Sequence, residues 1–345
     1  MAKSSKQVVL LVGGSRGIGR QVAIDLAKAG YAIVVAAKST SNAYDNSKPF
    51  PPDPNSPQST ISTVVREIKE AGGDAAEVTV DVRDFASVEA MVAKTIEVSP
   101  NCSLSTSSPG LRHQKKDIRT DRCARLQLGR HLACLPHFEA NGWKARVIVV
   151  SPPIYSRFFR GKTAYAMGKV GMSILTKGLA MDWTREGKKD MAITSIWPAS
   201  AIESGATREE SIRHDLRKAS KTIYSDAILA MLRAPAQDVN GLIDTDEDYL
   251  REREGVTDFS KYSLIPGTTP RRIMPAEFPD LTVAEQDDEG NPFFALLRIM
   301  TTETKLPTAV PPRRIRMTGM RMAQTRGGKR ECSWWSSSTN GYTFA

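Results

Sequence analysis

The chain is predicted to fold as an α/β protein built on a doubly wound parallel sheet, and two observations predict it. The apolar runs Val8–Val12, Tyr31–Ala37, Arg146–Val150 and Met191–Trp197 are too short for stand-alone helices, and they alternate with stretches of helical period. The first run passes directly into Gly13, Gly17 and Gly19, and the apolar positions Ile18, Val22 and Leu26 start a helix inside that same turn. Strand, turn and helix in alternation, with no internal repeat, give a parallel sheet with helices on both faces.

The glycine turn carries the first chemistry. A helix N-terminus presents unpaired N–H groups and a partial positive charge, which suits a pyrophosphate. Residues without a Cβ let the backbone come that close. Gly13, Ser15, Arg16, Gly17, Ile18 and Gly19 are therefore candidate dinucleotide contacts. The second strand ends at Lys38, where dinucleotide folds place an acid for the ribose 2′-hydroxyl of NAD. Lys38 and Arg16 are two cations with no acid between them, a pairing that suits the 2′-phosphate of NADP better than NAD. The plainer reading of Lys38 is a solvated charge at a strand end.

Further along, Lys48–Gln58 holds five prolines and reads as a stiff extended loop. Helix resumes after Ser59 or Thr60, with Ile61, Val64, Val65 and Ile68 on one face and Gly72-Gly73 at its end. Ala76–Val82 reads as the third strand, and Asp84 caps the helix of Val88, Met91, Val92 and Ile96. Residues 99–134 sustain no period of 2 or 3.6. Order returns near Leu135–Phe138, then Arg146–Val150 ends at Ser151 and a helix is expected over Thr163–Glu186. Met191–Trp197 is stopped by Pro198, and a polar loop and helix span 199–222. Ser225 is expected to cap a helix holding Ile228, Leu229 and Leu232, and Val239–Ile243 to form the last strand.

Tyr165 and Lys169 stand four residues apart on a predicted helix and share a face. Ser151 ends the strand before it, at the carboxyl edge where such sheets bind ligands. Reducing a carbonyl requires a proton for the developing alkoxide as a hydride reaches carbon. A tyrosine hydroxyl can give it, but its ordinary pKa of about 10 is high for work near neutrality. A neighbouring ammonium stabilises the phenolate, and a serine hydroxyl can hold the substrate oxygen. Ser151, Tyr165 and Lys169 are the candidate catalytic residues, with Ser156 a weaker alternative for the serine. The plain alternative is a packed tyrosine beside a solvated lysine.

The spacing Gly-x-x-x-Gly-x-Gly followed by a serine and Tyr-x-x-x-Lys resembles the short-chain dehydrogenase/reductase family, whose fold is the Rossmann sheet. Val12 stands where that family usually has threonine. The motifs Ala36-Ala-Lys38, Ser151-Pro-Pro153, Gly171-Met-Ser173, Trp197-Pro-Ala199 and Asp244–Asp248 point to one branch of it, over about 1–98 and 135–280. The resemblance implies that Asp81 and Val82 bracket the adenine, that Lys169 also holds ribose, and that Pro198 and Ile202 approach the nicotinamide. It implies an NADP(H)-dependent oxidoreductase interconverting a small-molecule carbonyl and alcohol. It also implies homodimers formed on the helix after Tyr165, where Ala166, Gly168, Val170, Gly171, Ile174, Leu175 and Leu179 are small or apolar.

Two segments depart from this. The family's central strand, Leu-Val-Asn-Asn-Ala-Gly, and the asparagine on the following helix are both absent from residues 99–134. The fourth strand is thus expected to be missing or improvised, and the chain to be a poor enzyme or a non-catalytic dinucleotide-binding protein. Of the net charge of +10, residues 101–146 hold +6 and residues 294–345 hold +7, leaving −3 over the remainder. A charge placed this way argues against a nucleic-acid partner. Cys102, Cys123, Cys134 and Cys332 also fall in these segments, and their spacing fits no metal site or disulfide framework. Both segments read as out-of-frame or retained-intron translation, the plainer alternative being a genuine divergent insertion, and the other two frames of the coding DNA would test this. The expected domains are a dehydrogenase domain over 1–292 and a basic irregular tail over 293–345. No apolar run reaches membrane-spanning length and Met1–Gln7 is polar, so a cytoplasmic protein is expected, with an organellar one left open.

Overall fold

The structure, a computed structural model, describes residues 6–42, 49–98, 102–103, 133–207 and 218–281. In chain order the elements are β1 (Val8–Val12), α1 (Gly17–Lys28), β2 (Ala32–Ala37), α2 (Ile61–Glu70), β3 (Ala75–Thr79), α3 (Phe85–Val98) and β4 (Cys102–Ser103). After these come α4 (133–140), β5 (Ala145–Val150), α5 (Thr163–Arg185), β6 (Met191–Trp197), α6 (Thr222–Arg233), α7 (Ala236–Val239), β7 (Ile243–Thr245) and α8 (Asp246–Arg253). Every strand pairing is parallel, in the orders β3-β2-β1-β4 and β5-β6-β7. The doubly wound α/β arrangement expected from the alternation is present.

The fourth strand is the improvised one. It has two residues, pairing Val8 with Cys102 and Val9 with Ser103. Among the described residues no backbone pairing joins β4 to β5, so the ladder is interrupted between the half carrying β1 and the half carrying β5. Side chains bridge the gap on both faces. On one, Val9 and Leu11 of β1 share a core with Ile148, Ile196, Ile223 and Tyr224. On the other, Val8, Leu10 and Val12 share one with Val147, Val149, Met172 and Ile193. Each large apolar side chain buried in this way contributes about 1.5–3 kcal/mol.

Local chemistry sets most element ends. Thr60 opens α2 with a reciprocal cap, its Oγ1 accepting from the Thr63 N–H and its N–H donating to Thr63 Oγ1 at 2.9 Å. Asp84 accepts from the Ala86 N–H at 3.2 Å, the cap expected there. Two expectations fail. Helix α6 starts at Thr222, so Ser225 lies inside it, and its hydroxyl donates to Asp25 of α1 at 2.5 Å. The apolar stretch from Val239 is not a strand. Val239 ends α7, Gly241 turns the chain with φ +76, and the strand is Ile243–Thr245.

Candidate active site

Strand β1 delivers the glycine turn to the carboxyl edge of the sheet. Gly13 sits at φ +88, and its N–H donates to the Ala36 carbonyl at 2.6 Å. A Cβ added to Gly19 would lie 2.4 Å from the Gly13 carbonyl oxygen, so the first turn of α1 closes on the strand end with no room for a side chain. This cradle fits the pyrophosphate of a dinucleotide, which must approach backbone N–H groups. Ser15 is buried and its carbonyl accepts from Ser59 at 2.7 Å, while Ile18 packs on the core. Arg16, at the N-cap of α1, donates from Nη2 to Ser39 Oγ at 3.2 Å.

Lys38 is not a lone strand-end charge. Its Nζ lies 2.6 Å from Asp81, which Arg83 also contacts at 2.7 Å. Arg83 and Lys38 together hold the Asp81 carboxyl well below the usual carboxylate range. An acid therefore does meet Lys38, contributed by the loop after β3 rather than by β2 itself. Arg83 joins Arg16 and Lys38, so cations still outnumber the acid there. Val82 packs on the core beside this group.

Tyr165 and Lys169 lie one turn apart on α5, Tyr165 half-buried and Lys169 buried. The Lys169 ammonium donates to the Val150 carbonyl at 2.8 Å and stands 5.4 Å from the centre of the Trp197 ring. It is thus fixed at the end of β5. Ser151 directly follows β5, as expected, and its hydroxyl faces inward. Its hydroxyl is fully buried, 2.6 Å from Ser195 Oγ, and Ser195 itself donates to the Ser151 carbonyl at 2.7 Å. When Ser195 donates to that carbonyl, Ser151 donates to Ser195, and its proton is then engaged inside the protein. Ser156 is exposed at the start of a short 3-10 turn.

Sequence reasoning missed the wall around Tyr165. Phe158 lies 6.1 Å from the Tyr165 ring and 5.7 Å edge-on to Trp197, and Tyr155 packs 5.6 Å from Phe278. Tyr155, Phe158, Met274 and Phe278 supply apolar lining there. Arg272 brings the last two in. Its guanidinium grips Asp248 at 2.5 and 2.7 Å and donates to the Pro275 carbonyl, while Ile273 N–H donates to the Ala199 carbonyl at 2.8 Å. Asp246 was missed as well. It is fully buried and accepts from the N–H groups of Ala199 and Glu247, each at 2.8 Å. It therefore pins the loop carrying Pro198, Ala199 and the buried Ile202. A cavity of about 450 Å³ beside α6 and α8, lined by Leu229, Arg233, Leu250 and Tyr262, includes none of these residues.

A glycine cradle on one half-sheet and a Tyr-x-x-x-Lys helix on the other define a nucleotide-dependent dehydrogenase scaffold. No protein-family model matches the chain. Hydroxysteroid dehydrogenase-like protein 2 of Bos taurus is 29% identical over 313 residues, covering 87% of this chain and 69% of that protein. Its Homo sapiens counterpart is 30% identical over 274 residues, covering 75% and 60%. A crystal structure of a short chain dehydrogenase from Mycobacterium thermoresistibile aligns with a TM-score of 0.63 at 28% identity, over 79% of this chain and 96% of that one. The chain is similar to short-chain dehydrogenases in sequence and fold, and to hydroxysteroid dehydrogenase-like protein 2 in sequence. It spans about half to two thirds of the length of most of these curated relatives. Among the described residues no helix is long and apolar enough to cross a membrane.

Asp246 gives a pH prediction. Burial pushes its carboxyl from 3.8 up to about 7, against the two N–H groups that lower it. A folded-state value raised above the unfolded one favours the folded chain at low pH. That contribution is complete below about pH 4 and is lost as pH rises to about 7, with a size on the order of a few kcal/mol. Asp246→Asn keeps an acceptor for both N–H groups and carries no charge. Its melting midpoint is expected to decline less between pH 4 and 7.5 than that of the unaltered chain, the remaining decline coming from Asp244, which burial raises to about 6. Parallel declines in the two proteins would clear Asp246 of this effect.

Proposed function

We propose that the chain interconverts a carbonyl and an alcohol by hydride transfer with NADP(H). The observation that carries this is Lys169, whose ammonium is buried at the end of β5 one turn from Tyr165. The dinucleotide, when bound, supplies or accepts the hydride. Tyr165 gives its phenolic proton to the substrate oxygen in reduction and takes it back in oxidation. The Lys169 charge stabilises the phenolate left behind, since the Val150 carbonyl and the indole face draw on that charge without cancelling it. Ser151 is the anchor expected from the family, but its bond to Ser195 argues that Tyr165 orients the substrate oxygen without it. Tyr155, Phe158, Met274 and Phe278 favour an apolar substrate.

A second reading, a dinucleotide-binding protein without turnover, is favoured by the two-residue β4 and the interrupted ladder. Tyr165→Phe separates the two. In the first reading NADPH binding persists, and turnover of a ketone and aldehyde panel falls by a factor of about 100 or more. Binding with no turnover by the unaltered chain upholds the second. Retained turnover in the variant removes Tyr165 from the mechanism.

NADP is preferred over NAD through Arg16, Lys38 and the Ser39 hydroxyl, which gather where a 2′-phosphate would lie. Fluorescence titration is expected to show tighter binding of NADPH than NADH. Arg16→Ala should cost NADPH about tenfold in affinity, the scale of one charge-assisted bond, and NADH little. Equal or tighter binding of NADH refutes these roles.

The chain also pairs as a homodimer on α5. Ala166, Gly168 and Leu179 are buried inside the chain, while Met167, Ile174 and Met181 form an exposed apolar stripe at seven-residue spacing, each 46–60% exposed. Light scattering at micromolar concentration is expected to give twice the chain mass, and Ile174→Arg to return it to one. A monomeric unaltered chain overturns this.

A further inference from the structure

The proline-rich loop is more than a connection between β2 and α2. The Pro54 carbonyl accepts from the Gly17 N–H at 2.8 Å, satisfying one donor at the start of α1. Asn55 then reaches across the carboxyl edge, its Nδ2 donating to Glu203 Oε1 at 2.8 Å. Glu203 is held in turn by Lys221 at 2.5 Å and follows Ile202 in the loop after β6. Residues 53–56 thus touch the glycine turn on one half-sheet and the loop after β6 on the other.

Two atoms of this segment are unexplained by the protein itself. Among the described residues, buried Asn55 Oδ1 and Ser56 Oγ have no hydrogen-bond partner. The Asn55 orientation is fixed, because a carboxylate only accepts and so selects Nδ2, leaving Oδ1 on the other side. That oxygen lies 3.8 Å from where a Cβ on Gly17 would stand, beside the anion-binding turn. A buried acceptor and a buried hydroxyl without partners are costly unless something meets them.

We propose that residues 53–56 form the outer wall of the dinucleotide site, with Asn55 Oδ1 accepting from a ribose hydroxyl and Ser56 Oγ donating to a phosphate oxygen. This rests on the dinucleotide reading given above and adds two contacts to it. A dinucleotide offers both partners within one molecule, hydroxyl donors on its riboses and acceptor oxygens on its pyrophosphate. Asn55 also ties that wall to Glu203, so closing the wall and placing the loop of Ala199 and Ile202 are one event.

The full chain is titrated with NADPH by fluorescence, beside Asn55→Ala, Ser56→Ala and Ser56→Thr, and hydrogen exchange of residues 53–56 is followed with and without NADPH. Both alanine variants are expected to bind NADPH about tenfold more weakly, Ser56→Thr to keep affinity, and NADPH to slow exchange across the segment. The melting midpoint of Ser56→Ala measured without NADPH should match the unaltered chain, which separates a ligand contact from a folding defect, whereas Asn55→Ala also loses its bond to Glu203 and should melt lower. If an alanine variant fails to fold, Ser56→Thr and the exchange of the unaltered chain decide. Unchanged affinity in both alanine variants, or unchanged exchange on adding NADPH, overturns the wall alone. An unaltered chain that binds neither NADPH nor NADH overturns the dinucleotide reading and the wall with it.

Discussion

Val9 and Leu11 of β1 pack against Ile148 and Ile196 on one face of the sheet, and Val8, Leu10 and Val12 pack with Val147 and Val149 on the other. These contacts span the place where, among the described residues, β4 contributes two residues and the ladder stops. Everything at the carboxyl edge depends on them, because the glycine turn hangs from β1 while Lys169 is fixed to the end of β5. Backbone pairing is directional and sets strand spacing at about 4.8 Å. Apolar packing has no such direction and tolerates small slides. Reacting groups displaced by about 1 Å can lose on the order of a hundredfold in rate. The broken ladder therefore bears on catalysis more than on folding.

Charge at that edge is divided between two solvents. Around Lys38 the groups are half-exposed, and Asp81 stays ionised because Arg83 and Lys38 hold it so. Beneath the loop after β6 the acid is enclosed, and burial drives Asp246 the opposite way although two N–H groups point at it. The contrast follows from what each carboxylate meets. Asp81 gains full positive charges, whereas Asp246 gains peptide dipoles, which offset only part of the cost of leaving water. Asp248, two residues on, meets the Arg272 fork, and that grip draws Met274 and Phe278 toward Tyr155. One acidic run thus positions a loop with one residue and an apolar wall with another.

The legible parts of this chain were those written locally. Val8–Val12 and Met191–Trp197 appear as strands with the expected ends, because short apolar runs meeting glycine or proline leave few alternatives. The interrupted centre was legible too, as a run without period. What escaped were choices made by distant partners. Ser151 looks available at a strand end, but its hydroxyl is hydrogen-bonded to that of Ser195, 44 residues away. Tyr155 meets Met274 across 119 residues and Asn55 meets Glu203 across 148, separations at which no period or cap leaves a trace. Ser225 was misread for a related reason: a serine before an apolar stretch is a cap by local rules, but Asp25 on α1 gave it a partner inside the helix.

That last contact and the Asn55–Glu203 bond have a common consequence. Each joins residues of the first half to residues of the second through polar groups, Ser225 with Asp25 between α6 and α1, Asn55 with Glu203 at the carboxyl edge. Hydrogen bonds lose strength steeply with misalignment, so they supply the direction that apolar packing lacks. Their placement differs in effect. The Ser225–Asp25 bond links the two halves through helices, while the Asn55–Glu203 bond crosses at the glycine turn itself. A shift of β5 relative to β1 would lengthen the second bond and at the same time move Ala199 and Ile202 away from Gly17. Alignment of the halves and integrity of the edge are therefore the same structural variable, and the proline-rich loop, stiff enough to hold Asn55 in place, is where the two are coupled.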